Sequence, residues 1–155
     1  MALFVHLTPA KNSRSISRAG LRSGRGVFCV PMLRSYSLTH QWLRELRRWS
    51  GQREYVAIDF RVPDEEMVAV GHYGRARREV TAAAAVELVR ELADPLGFEV
   101  VVPRAVSRRE VHRIRHVKQV CGWRYAPGQH GVRPCPCPVC LPIGAYGSAS
   151  IRARY

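Results

Sequence analysis

At 155 residues, with 46% apolar and 24% charged side chains, the chain has the length and composition of one globular domain with its own core, which excludes a wholly disordered polypeptide. Twenty-five Lys and Arg against twelve Asp and Glu leave a formal charge of +13. That surplus favours polyanionic partners, nucleic acid before an acidic membrane surface, and it also serves plain solubility. No apolar run reaches the length of a membrane span, and the first eight residues lack the cationic lead of a signal peptide. The five cysteines are odd in number and crowd toward one end, a poor disulfide framework. A cytoplasmic protein with reduced thiols and no membrane partner is the expectation.

Taken in chain order, Leu3 to Leu7 reads as a buried strand. On it His6 and Thr8 stand two apart and so share one face. Asn12 to Ala19 reads as a short helix that buries Ile16 and stops at Gly20, a residue free to take positive φ. Arg22 follows in the loop. Val27 to Val30 is a second short strand closed by Pro31. Ser37 to Trp49 has helical spacing, with Leu38, Trp42, Leu43, Leu46 and Trp49 on one broad face and Arg44, Arg47 and Arg48 largely opposite.

Tyr55 to Val62 alternates strictly and is the clearest strand. Met67 to Val70 is expected as its antiparallel neighbour. Thr81 to Leu92 predicts a helix capped by threonine. Phe98 to Val102 is an apolar strand carrying Glu99, Ser107 begins a single helical turn, and Val111 to Val117 is a last extended segment. Six or seven strands with two or three helices, and no βαβ regularity, predict an α+β fold on a split, mixed or antiparallel sheet. Residues 1–118 are read as one domain and 119–155 as an extension.

Three segments carry a resemblance. His6-Leu7-Thr8, Asn12, Ile16 and Gly20-Leu21-Arg22 are spaced as in the opening of the catalytic domain of poly(ADP-ribose) polymerases and their relatives. Gly26-Val27-Phe28-Cys29, followed by Arg34-Ser35-Tyr36-Ser37, resembles that family's second strand and the serine-rich start of its next helix. Gly97-Phe98-Glu99-Val100-Val101-Val102-Pro103 is similar to the strand bearing its glutamate. DNA-targeting toxin transferases and RNA 2′-phosphotransferases open in related ways.

The resemblance implies an ADP-ribosyltransferase-like split sheet that clamps NAD in a crevice. It implies that His6 bonds a ribose hydroxyl, Thr8 holds the adenosine side and the Leu7 backbone grips the nicotinamide amide. Asn12 and Arg22 then meet the adenine side and the phosphates. Ser35 or Ser37 would bond the amide, and Tyr36 or His40 would stack on the ring. Glu99 would be the catalytic carboxylate, stabilising the positive charge that develops on ribose as nicotinamide leaves. Phe28 replaces the family's tyrosine, so it can stack but cannot donate a hydrogen bond, and single transfer is the expected outcome. The loop with His72, Tyr73, Arg75, Arg77 and Arg78 would face the acceptor, DNA or RNA ahead of protein.

Read from the residues alone, a lone histidine on an apolar strand such as His6 is usually a satisfied core residue, and Glu99 among apolar neighbours either meets solvent or is a perturbed functional group. Cys135, Cys137 and Cys140 fall within six residues, with Cys121 fourteen positions ahead of the first. These four soft ligands, with His130 as a substitute for one, suggest a closed structural zinc site, against a tail of reduced, unligated thiols. Trp123, Arg124, Tyr125 and Arg133 beside them suit either base stacking or simple packing. Cys29 reads as a small core residue, and His112 and His116 as surface residues. The rival readings are a non-catalytic zinc-containing nucleic-acid-binding module on the same fold and an NAD-dependent RNA 2′-phosphotransferase.

Overall fold

The apolar run near the start lies in β1 (Ala2–Pro9), which pairs along its whole length with β3 (Tyr55–Val62), from Ala2 opposite Val62 to Pro9 opposite Tyr55. The structure, a computed structural model, describes residues 1–22 and 24–119 together with Ile143, Gly144, Ala149 and Ala153. The remaining strands are β2 (Val27–Pro31), β4 (Met67–His72), β5 (Arg78–Thr81), β6 (Phe98–Val102) and β7 (Val111–His116). They form one seven-stranded sheet in the order β5-β4-β6-β2-β1-β3-β7, and each of these pairings is antiparallel. The α+β class is as expected. The expected partner of Met67 to Val70 is not: both edges of β3 are taken by β1 and β7, so β4 crosses over and pairs with β5 and β6.

Strand alternation sends neighbouring side chains to opposite faces, and the core is correspondingly double. Phe4, Val56, Ile58, Phe60, Val100 and Val102 pack one face with Ile16 of α1 (Ser13–Ala19) and Ala82, Ala85 and Val89 of α4 (Ala82–Glu91). Val5, Leu7, Tyr55 and Ala57 pack the other with Trp42 and Leu43. Thr81 caps α4 as predicted, its hydroxyl accepting from the Ala84 N–H at 3.3 Å. Cys29 is buried, and His112 and His116 are exposed.

The helix expected over 37–49 is two helices, α2 (Tyr36–Thr39) and α3 (Leu43–Ser50), separated at His40 to Trp42. The break has a use. Gln41 donates through Nε2 to the Pro95 carbonyl at 3.1 Å and accepts from the Gly97 N–H at 2.7 Å, and Trp42 Nε1 donates to the Phe98 carbonyl at 3.2 Å. Two side chains of the break thereby hold the backbone leading into β6. Arg44 and Arg47, expected on the outward face, are 9% and 1% exposed, and Arg47 Nη1 donates to the Gln119 carbonyl at 2.6 Å.

The sheet is split by β2, which serves both halves. Its Val30 and Pro31 face Val5 and Phe4 of β1, whereas Val27, Phe28 and Cys29 face Val102, Val101 and Val100 of β6. Beyond Val5 the two strands separate, and a gap opens beside His6 and Leu7.

Arg104, just past β6, ties two distant turns together. Its guanidinium reaches Glu66 at 2.5 Å and Glu110 at 2.6 Å. The hydrogen bond from Arg104 is the main reason that the Glu110 carboxyl is held at about 2 instead of 4.5. A depressed carboxyl contributes stability above its unfolded value and loses it as pH falls through the folded one. Between about pH 4.5 and 2 the native protein is therefore expected to lose about 1 kcal/mol from this pair, the figure allowing for solvent around an arginine 40% exposed. Urea unfolding at pH 5 and pH 2.5 checks this: Arg104→Met should remove that part of the acid sensitivity.

Candidate functional site

His6 stands where the β1–β2 ladder fails. Its Nδ1 donates to the Phe28 carbonyl at 2.8 Å, filling with a side chain a position that a backbone N–H would otherwise take. Burial pushes the imidazole below its usual 6.5, an effect partly opposed by that bond. Near neutral pH the ring is therefore uncharged, with its proton on Nδ1 and a lone pair on Nε2. The Met32 N–H donates to the Leu3 carbonyl across the β1–β2 pair. By alternation, Leu7 then turns its own N–H and C=O toward the same side, where β2 has departed. A ligand or water in the gap can take those groups.

Two hollows meet at His6. One, of about 390 Å³, is lined by His6, Thr8, Asn12, Ile16, Leu21 and Arg22 among others. In it Asn12 Nδ2 donates to Thr8 Oγ1 at 3.0 Å, so the two polar side chains set each other's orientation. The other, of about 440 Å³, is mostly apolar and takes in His6, Leu7, Phe28, Trp42, Trp49 and Glu99. His6 and Glu99 thus face one cavity although 93 positions separate them in the chain (99 − 6). The volumes suit a small organic ligand, roughly 300 to 1,000 Å³ for such sites.

Glu99 lies on β6, between β4 and β2 in the sheet, and is only 8% exposed. Its backbone is paired with Gly71 of β4. Arg77, from the turn between β4 and β5, forms an ion pair with it through Nη2, and Nε donates to the same oxygen, Oε1, at 3.2 Å. The Arg77 guanidinium also lies over the Phe28 ring, 5.3 Å from its centre. Cys29 shares the cavity, but burial, with the Glu99 charge adding to it, pushes its thiol far up. Its Sγ donates to the Val100 carbonyl at 3.4 Å. A protonated, hydrogen-bonded thiol is no nucleophile.

Ser35, Tyr36, Ser37 and His40 are not among the residues lining this cavity. Ser35 caps α2 by accepting from the Leu38 N–H and shares a hydrogen bond with Ser37. Tyr36 and His40 face each other with ring centres 4.1 Å apart, and His40 is buried with Nδ1 donating to the Tyr36 carbonyl. These four organise the α2 corner. Besides the expected Phe28, the aromatic groups at the cavity come from Trp42, Trp49 and Tyr73. Their rings meet at 5.5 to 6.4 Å, with Trp49 stacked on Tyr73 and 54% exposed. Helical spacing had put both tryptophans on the apolar face of one helix, which reads as core. Periodicity alone does not separate a core tryptophan from one that lines a cavity.

Cys121, Cys135, Cys137 and Cys140, with His130 and the neighbouring aromatic residues, lie outside the described residues. Among the described residues, no group of three or more His, Cys, Asp and Glu is placed to hold a metal ion, and no helix is long and apolar enough to cross a membrane. No protein-family model, curated protein or solved structure matches the chain.

Proposed function

We propose that the protein is an NAD-dependent ADP-ribosyltransferase. The observation that carries this reading is the meeting of His6 and Glu99 on one cavity at the point where the sheet splits. The adjoining polar hollow with Thr8, Asn12 and Arg22 suits the adenosine and phosphate half of NAD, and the apolar one, rich in aromatic rings, suits nicotinamide. Neutral His6 can accept a ribose hydroxyl at Nε2, and the uncovered Leu7 backbone matches the two hydrogen-bonding ends of a carboxamide. The bond from ribose C1′ to the nicotinamide nitrogen breaks, and its electron pair leaves with the ring, which becomes neutral. The positive charge left on the sugar is offset by the Glu99 carboxylate until an acceptor oxygen or nitrogen bonds to C1′ and releases its proton.

The acceptor favoured is nucleic acid. Trp49 and Tyr73 form an exposed stacked pair, and Arg48, Arg53, Arg75 and Arg78 are exposed on the same two segments. Aromatic faces beside cations suit unpaired bases and their phosphates. The same surface favours the second reading, a nucleic-acid-binding module that leaves NAD intact. Incubating the protein with NAD and a single-stranded oligonucleotide, and measuring free nicotinamide by chromatography, separates the two. Accumulating nicotinamide is expected; intact NAD beside a bound oligonucleotide would leave only the binding module.

A further inference from the structure

The Arg77 contacts place a third group in the reacting centre, and we infer that Arg77 is the positioning residue that aims the Glu99 carboxylate. This rests on the transferase reading above. Among the described residues, the hydrogen bonds that Glu99 accepts through its side chain come from Arg77, and both end on Oε1. Oε2 accepts none among the described residues, and it is not one of the buried polar atoms left without a partner. One oxygen is held and the other is left for a ligand in the cavity that Glu99 lines. A carboxylate free to rotate would present either oxygen in many directions; a planar guanidinium gripping one of them removes that freedom before the substrate arrives.

Two features of the scaffold hold Arg77 in turn. Its guanidinium rests on the face of Phe28, an aromatic ring that carries no hydroxyl to compete for the carboxylate. The substitution of phenylalanine for the tyrosine of the resembled family thus acquires a physical use. Gly71, the residue paired with Glu99 across the sheet, provides the room. A Cβ there would lie 3.0 Å from Arg77 Cα and 3.2 Å from its Cγ, so the missing side chain lets the arginine lie close against β4. Glycine at 71, phenylalanine at 28 and glutamate at 99 come from three neighbouring strands of the order β4-β6-β2, and Arg77 touches all three.

The test uses the full chain with Arg77→Met and Arg77→Lys, chosen because methionine keeps an apolar contact with Phe28 and lysine keeps one charge. Nicotinamide release from NAD is followed for kcat and KM, and melting temperature and circular dichroism confirm folding. Arg77→Met should lower kcat on the order of 10- to 100-fold with KM within about threefold, and Arg77→Lys should recover a measurable part of kcat. A loss confined to KM would make Arg77 a ligand contact and overturn the inference. So would Glu99-dependent cleavage that Arg77→Met leaves at the wild-type rate, with the transferase reading untouched. Wild-type protein that leaves NAD intact would overturn both together.

Discussion

Glu99→Gln is expected to slow nicotinamide release from NAD by about a hundredfold or more, equivalent to about 3 kcal/mol of transition-state stabilisation. Glutamine keeps the volume and removes the charge, and with it the ion pair to Arg77. The charge matters because it sits in a largely enclosed place: the residue is 8% exposed, on a strand with neighbours on both edges. There a carboxylate and a developing sugar cation interact with less screening than in water. The substitution leaves Arg77 without its partner, but that side chain is 34% exposed and can rehydrate. Folding is therefore expected to survive, with a melting temperature within a few degrees of the parent. Steady-state kinetics of free nicotinamide at saturating NAD check the rate. A variant that keeps the wild-type kcat would remove Glu99 from the chemistry.

Gly20→Ala is expected to destabilise the fold by about 3 kcal/mol or more, lowering the melting temperature by roughly 10 °C. Two independent reasons add. Gly20 ends α1 with φ 79° and ψ −167°, a backbone region essentially reserved for glycine. A Cβ at that position would also stand 2.1 Å from the Val106 carbonyl oxygen and 2.7 Å from the Ser107 carbonyl carbon. Those are backbone atoms, fixed by the bridge in which Leu21 and Val106 exchange hydrogen bonds of 2.8 and 2.9 Å. Neither partner can step aside without breaking it. The bridge joins the Arg22 loop to the segment before β7, so a loosened Gly20 should also weaken NAD binding through the polar hollow. Thermal unfolding followed by circular dichroism, with NAD titration of the folded fraction, measures both.

Much of the fold is legible in local pattern. Six of the seven strands, the short helix ending at Gly20 and the threonine-capped helix follow from alternation, helical periodicity and caps, which are properties of neighbouring residues; β5 (Arg78–Thr81) forms where the sequence reading expects a loop, because β4 offers it a free edge. The spacing of His6 and Thr8 on one strand likewise announces a shared face, and both line the polar hollow. Local pattern misjudged the Ser37 to Trp49 stretch. Its periodicity is genuine, but the helix breaks at His40 to Trp42, where the Gln41 and Trp42 side chains are held by Pro95, Gly97 and Phe98, some fifty residues on, a contact that no local pattern announces. Arg44 and Arg47, which the same spacing puts largely opposite the apolar face, are buried.

For Glu99, alternation tells only that the carboxylate points opposite to Phe98 and Val100; whether that side meets water or a cavity depends on what covers the sheet. The answer came from β6 lying between β4 and β2, with Trp42 and Arg77 brought over the same face. The residue types and phases that chemistry needs, a histidine and a hydroxyl in step, an isolated carboxylate and a surplus of arginine, are properties of the chain read in one dimension. The gap beside His6, the grip of Arg77 on Glu99 and the stacked pair of Trp49 and Tyr73 belong to three dimensions, because each joins strands or turns whose adjacency is set by sheet order, and no local propensity encodes that order.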